Sequence, residues 1–303
     1  MDDRTRGGVE MATAMAISGT IGWVVIMSRQ PILDVVFWRC AFGAAALLIV
    51  CAALGLLRQA PPKCVLVYAS IGGAAIVLNW LLLFASFSRA SISISTAVYS
   101  AHPFILVALG AAFFGERPSA AKIMWLVVAF IGVLLIIQAK PPTESGADYV
   151  LGVAMALSAA FFYAVAIVAA KKLAGAPPLL IALIQVCVGV AMLAPIANFG
   201  RLPDDGAAWG ALIALGVVYT GLLFTLQYDA VQRLPTHVAG SLYFIYPLVA
   251  FLVDFVAFGQ RMQPTQIVGA AAIVIAAAGG NLSWPVRRPH RASNPRGASS
   301  GAG

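Results

Sequence analysis

The sequence predicts an all-α polytopic membrane protein: ten transmembrane helices, built as two inverted five-helix repeats, with both termini cytoplasmic. Three observations predict it. First, 61% of the 303 residues are hydrophobic and only 10% are charged, with a mean hydropathy of +0.94, far from the roughly 25% charge of an ordinary globular domain. The apolar residues come in continuous runs of about 18–22, long enough to cross a hydrocarbon core of about 30 Å as helices. They do not alternate as barrel strands would. Second, the chain echoes itself. A shift of 144 positions carries Arg89 onto Arg233, Tyr99 onto Tyr243, Pro103 onto Pro247, Gly115 onto Gly259 and Arg117 onto Arg261 without a gap. A shift of 140 pairs AMAIS (14–18) with AMALS (154–158). Third, with a cytoplasmic N-terminus the inner segments hold thirteen Lys and Arg and the outer segments five, the asymmetry that fixes topology.

Taken in order, the ten expected spans are 11–27, 36–56, 65–86, 93–114, 120–138, 149–170, 179–198, 208–230, 237–257 and 264–283. Short connections carry the breaks, among them Pro61-Pro62, Pro141-Pro142, Pro177-Pro178 and Pro203-Asp204-Asp205, residue types that interrupt helices. Five spans per half is an odd number, so the second half enters the membrane from the opposite side. The halves are then related by a two-fold axis in the membrane plane, as in many secondary transporters. Residues 1–140 form the first repeat, 141–284 the second, and 285–303 a disordered cytoplasmic tail rich in Arg, Ser, Gly and Pro. The first apolar run belongs to the repeat and is expected to be retained, not cleaved as a signal.

The formal charge of +8 comes from single basic residues between apolar runs and from the tail, so it reports topology and not a nucleic-acid partner. Cys40, Cys51, Cys64 and Cys187 lack CxxC spacing and read as small buried hydrophobes. There is no Gly-rich phosphate loop, no HExxH or other metal-ligand cluster, no pair of intramembrane aspartates and no Ser/His dyad at a common depth. The chain is therefore expected to be no enzyme and to hold neither cofactor nor metal.

Candidate functional residues lie in mid-span. Pro103 and Pro247 remove a backbone donor inside spans four and nine; they read either as matched hinges or as fixed bends. His102 is the one ionisable side chain expected near mid-membrane, either touching substrate or relaying protons, or else bonded as a neutral ring to a carbonyl freed by the neighbouring proline. Asn79 and Gln227 lie on equivalent faces of spans three and eight, where amides either join helices or bind polar substrate groups. Ser18 and Ser158 are symmetry mates that also suit close helix packing. Trp23, Tyr163, Tyr99, Tyr243, Trp80, Tyr228 and Tyr246 could line a cavity for an aromatic or hydrophobic side chain, or simply fill the bundle. Arg39 reads as snorkelling or paired, Asp254 being a conceivable partner. Asp229, Arg233, His237, Glu116 and Arg117 read as helix-end charges, with an inner gate as the alternative.

Ten spans in two halves, a mid-helix proline and a Gly-Glu ending in span four (Pro103, Gly115-Glu116), Arg39 early in span two, and Gly132 and Gly269 in spans five and ten resemble the EamA-type drug/metabolite transporter superfamily. Within it the chain is most similar to bacterial YddG-type aromatic amino-acid exporters. Gln260 departs from the Glu expected in the second half, and Trp125 stands where the second half has Gly269. The resemblance implies a monomeric inner-membrane exporter of aromatic or hydrophobic amino acids or similar small zwitterions. It would work by alternating access, in facilitated or exchange mode, with the lipid bilayer and the small-molecule substrate as its partners. A proton-coupled multidrug or metabolite antiporter is the alternative, ahead of an intramembrane enzyme or a channel.

Overall fold

A computed structural model describes residues 3–90, 95, 98–137, 147–197, 203, 205–258 and 264–281. Among these, every regular element is helical. Span one is α1 (Asp3–Gly19) and α2 (Ile21–Ser28), interrupted at Thr20. Spans two and three are α3 (Ile32–Ala53) and α4 (Lys63–Ala90). The described helix of span four is α5 (His102–Phe114), followed by α6 (Ala120–Ile137), α7 (Ala147–Lys172) and α8 (Pro178–Leu193) as spans five to seven. Span eight joins α9 (Gly206–Gly216), a π-helical turn (Val217–Leu222) and α10 (Leu223–Arg233). Span nine joins α11 (Thr236–Tyr243) and α12 (Ile245–Phe258), and span ten is α13 (Pro264–Asn281). Five stretches, starting at Asp3, Ile32, Lys63, Asp148 and Gly206, are long and apolar enough to cross a membrane. The expected residues Gly259, Gln260, Arg261, Pro141, Pro142 and the tail from 285 lie outside the described residues.

The packing repeats itself when the halves are exchanged. Span three packs on span six, as span eight packs on span one; span four packs on span six, as span nine packs on span one. Span three meets span seven as span eight meets span two. Spans two and seven, four and nine, and five and ten meet their own counterparts. Such invariance is what a pseudo-two-fold axis imposes. The axis passes where close approach needs missing side chains: a Cβ on Gly132 would come within 2.7 Å of the Gly269 carbonyl, joining spans five and ten.

The first helix starts at Asp3, eight residues before the expected span, because ion pairs extend it. Arg6 Nε sits 2.8 Å from Glu10 Oε1 one turn along. At the other end of the first half, α5 stops at Gly115, whose φ of 65° lets the next N–H, that of Glu116, reach back to the Gly110 carbonyl. This is the left-handed helix end that glycine adopts without strain. Cys40 and Cys51 are buried as expected, whereas Cys64 and Cys187 are exposed on the outside of the bundle, and all four are free thiols.

Candidate substrate site

Both prolines start new helices instead of bending continuous ones. Pro103 lies in the first turn of α5, after a turn at Ser100 and Ala101, and Pro247 lies in the first turn of α12, after the break at Phe244. A proline in a first turn forfeits no helical hydrogen bond. Each break leaves a tyrosine at the end of the preceding segment: Tyr99 in span four and Tyr243 in span nine. The two interrupted spans therefore bring equivalent tyrosines to the centre of the molecule, and broken helices are what transporters use to line a binding site.

His102 shows the local chemistry. Pro103 has no N–H to offer the Tyr99 carbonyl four residues back, and His102 Nδ1 bonds that carbonyl instead, at 3.0 Å. A carbonyl only accepts, so Nδ1 carries the hydrogen, and in the neutral ring Nε2 is left as an acceptor. Nε2 is buried without a hydrogen-bond partner. The imidazole is packed edge-on by Tyr163 and Tyr243, with centroids 5.0 Å away in each case, and lies 5.1 Å from Tyr99.

The two amides complete the cluster. Asn79 Nδ2 donates to the Ala159 carbonyl at 2.8 Å and to Tyr99 Oη at 3.3 Å. Gln227 Nε2 donates to Tyr163 Oη and Tyr243 Oη, both at 2.8 Å. Each amide thus serves the helix-joining role with its nitrogen. Both oxygens, Asn79 Oδ1 and Gln227 Oε1, are buried and unpartnered. Burying an amide acceptor unsatisfied costs about 1–3 kcal/mol, and three such acceptors gather here around three tyrosines.

A second layer was missed or misread in the sequence. Arg39 is 4% exposed and neither snorkels nor pairs with a described carboxylate; the Asp254 side chain lies outside the described ones. Its guanidinium stacks 4.1 Å above the Trp80 ring, and Trp80 stacks on Phe224 at 5.8 Å, which stacks on Tyr228 at 5.4 Å. Arg39 Nε donates to Thr220 Oγ1 and Nη2 to the Tyr219 carbonyl, each at 2.8 Å. Both acceptors belong to the π-helical turn of span eight. Such turns loosen backbone groups for functional use, and Thr220 Oγ1 itself donates to the Leu215 carbonyl. His102 is therefore not the only ionisable group deep in the bundle. Gln185 of span seven, unremarked in the sequence although it is an amide inside an apolar run, accepts from Tyr228 Oη and keeps its own Nε2 unpartnered.

Of the remaining candidates, Tyr246 and the serines Ser18 and Ser158 are half-buried, and neither serine hydrogen-bonds another described side chain. Trp23 is 46% exposed and stands outside the cluster although its symmetry mate Tyr163 is central. A separate apolar groove of about 310 Å³ runs along α5 and α6, lined by Phe104, Ala108, Lys122, Leu126 and His237, away from this cluster.

The charges at the N-terminal end of the bundle do more than cap helices. Glu116 Oε1 accepts from Lys171 Nζ at 2.7 Å, and its Oε2 accepts from the Thr236 N–H at 2.8 Å and from the Thr236 hydroxyl. Lys171 also donates to the Leu234 carbonyl. Burial pushes the Glu116 carboxyl up, but the bonds from Lys171 and Thr236 outweigh it and hold the group below its usual range. Alongside, Arg233 bonds Asp229 and Asp3, and Arg6 joins Asp229 to Glu10. Both networks run between the first half and the second.

A sequence profile matches the chain twice, at residues 8–138 and 150–281, and it is that of the EamA-like transporter family. The chain belongs to this family. The EamA-like profile thus recognises each half separately, as the repeated packing requires. An uncharacterized transporter, YxxF, of Bacillus subtilis (strain 168) is 28% identical over 287 residues, 94% of this chain and 91% of its own. The threonine/homoserine exporter RhtA of Escherichia coli (strain K12) is 28% identical over 223 residues, 71% of this chain and 69% of its own. A crystal structure superposes with a TM-score of 0.81 at 21% identity, covering 92% of this chain and 99% of that one, and shares the fold. The EamA-like chain is a multi-pass membrane transporter of small molecules and not an enzyme.

Proposed function

We propose that the chain is a monomeric secondary transporter that exports amino acids, or small zwitterions like them, by alternating access to one central site. The carrying observation is the trio of buried, unpartnered acceptors, Asn79 Oδ1, Gln227 Oε1 and His102 Nε2, gathered where two helices are broken. Acceptors without donors suit an ammonium group, which brings three donors. The surrounding Tyr99, Tyr163, Tyr243 and Trp80 suit an aromatic or hydrophobic side chain. RhtA, a threonine/homoserine exporter by name, supports an amino-acid substrate and adds hydroxyl-bearing side chains to the set worth testing. Residues 1–140 and 141–284 contribute equivalent spans to the elements that move, Pro103 and Pro247 marking their hinges. The membrane is the bacterial inner membrane, with both termini cytoplasmic, as the Lys and Arg count favours.

Proteoliposomes carrying the purified chain test this. Labelled L-threonine, L-homoserine, L-phenylalanine and L-tryptophan should enter with saturable kinetics and should be accelerated by the same amino acid inside. Flux linear in concentration would mean a channel, and flux of none of them would remove the amino-acid reading. His102, a neutral ring with a free nitrogen lone pair, favours one second reading, proton-coupled antiport. Uptake driven by a pH gradient and abolished in His102→Gln would establish it.

A further inference from the structure

We infer that Arg39 is the carboxylate anchor of the central site, so that the substrate class is amino acids bearing a free carboxylate. This rests on the transport reading above and deepens it. A guanidinium is charged at any physiological pH. One buried to 4% exposure in a membrane bundle demands an explanation for its counter-charge. None of the described carboxylates lies within 4.0 Å of it. Its two hydrogen bonds go to a hydroxyl and a backbone carbonyl, both neutral, and the Trp80 face supplies the rest of its cover. Those bonds engage Nε and Nη2. Nη1 makes no hydrogen bond among the described residues, and its two N–H groups are free for an acceptor.

Position agrees. Arg39 is the eighth residue of α3, about 10 Å along the helix from its start at 1.5 Å per residue. Trp80, on which it lies, follows Asn79 directly in α4, and Asn79 Nδ2 bonds Tyr99 Oη in the central cluster. A zwitterion placed between would meet the cation at one end and the acceptors of Asn79, His102 and Gln227 at the other. The π-helical turn holds the guanidinium from the second half while α3 belongs to the first. Bound carboxylate would therefore neutralise a charge at the seam on which the halves move.

Counterflow with the best of the four amino acids, challenged by its analogues, decides the matter. For L-phenylalanine the competitors are L-phenylalaninol, which lacks the carboxylate, and L-phenylalanine itself; for L-threonine, threoninol serves. In the wild-type chain the amino alcohol should compete about 10- to 100-fold more weakly, the range expected for losing a charge-assisted contact. In Arg39→Gln the amino acid should fall to the level of the alcohol while the alcohol is unchanged, and Arg39→Lys should keep part of the gap. Saturable counterflow in which the alcohol competes as well as the amino acid overturns the assignment and leaves the transport reading standing. A gap that persists in Arg39→Gln does the same. Should Arg39→Gln not fold, Arg39→Lys decides: a narrowed gap supports the assignment and an unchanged gap overturns it. Absence of saturable amino-acid counterflow in the wild-type chain overturns both readings.

Discussion

The two ends of the seam between the halves are closed by different chemistry. At the N-terminal end the closure is ionic: Glu116 binds Lys171 and Thr236, and Arg6, Glu10, Asp229, Arg233 and Asp3 form a chain of ion pairs. At the far end it is aromatic and close-packed. Trp38 of span two meets Trp209 of span eight edge-on at 5.2 Å, with Phe42 stacked on Trp38 at 5.5 Å. Gly216 presses on the Phe42 backbone, where a Cβ would meet Phe42 Cβ at 2.4 Å. Ion pairs exchange for hydrated ions at small net cost, whereas parting the aromatic end exposes ring surface at roughly 25 cal/mol per Å². On the transport mechanism proposed above these closures are two gates on one site, and the ionic one is the more easily dissolved by water.

That contrast can be broken at either end. The largest effect is expected from Glu116→Ala, which leaves Lys171, 12% exposed, without its counter-ion. Breaking a partly buried pair in this way should cost about 2–4 kcal/mol; a fall in melting temperature of the detergent-solubilised protein would register it. Lys171→Ala in the same background should recover part of the loss. Next, Gly216→Ala puts a methyl against backbone that cannot retreat. A loss of about 1–3 kcal/mol, read as a lower denaturation midpoint, is expected from overpacking.

Acid sharpens the comparison, because the ionic end holds Glu116, a carboxyl shifted by its partners. The folded-state Glu116 carboxyl is depressed below its ordinary value of 4.5. Its contribution is therefore whole above the unfolded value and is lost only as pH falls through the lower folded one. The wild-type melting temperature should lose this contribution only below about pH 4.5, in the ordinary carboxylate range. Glu116→Gln should lack that step. The smallest effect belongs to Arg6→Ala. Its side chain is 53% exposed, and water screens an exposed pair, so a shift of about a degree or two at most is expected.

Much of this was legible in the sequence wherever the signal was local or repeated. Continuous apolar runs gave the spans, the shift of 144 gave Tyr99 with Tyr243, and Gly115 read correctly as a helix end. His102 satisfying a carbonyl freed by Pro103 followed from proline chemistry alone. What escaped depends on contacts between distant residues. Arg39 looked structural because its partners, Thr220 and the Tyr219 carbonyl, lie about 180 residues away in a π-helical turn that no residue pattern announces. The helix-end charges turned into bridges between the halves because folding brings residue 6 to residue 229 and residue 116 to residue 171. Trp23 fell outside the cluster where the first span is interrupted at Thr20, whereas α7, which carries its mate Tyr163, runs unbroken.

The central claim is that one buried cluster faces each side of the membrane in turn. Tyr243→Cys, in a chain whose four native cysteines are replaced by alanine, measures this when a membrane-impermeant maleimide is applied from one face and then from the other. The account predicts labelling from both faces, each slowed by saturating amino acid. Labelling confined to one face, whatever the substrate, would contradict it.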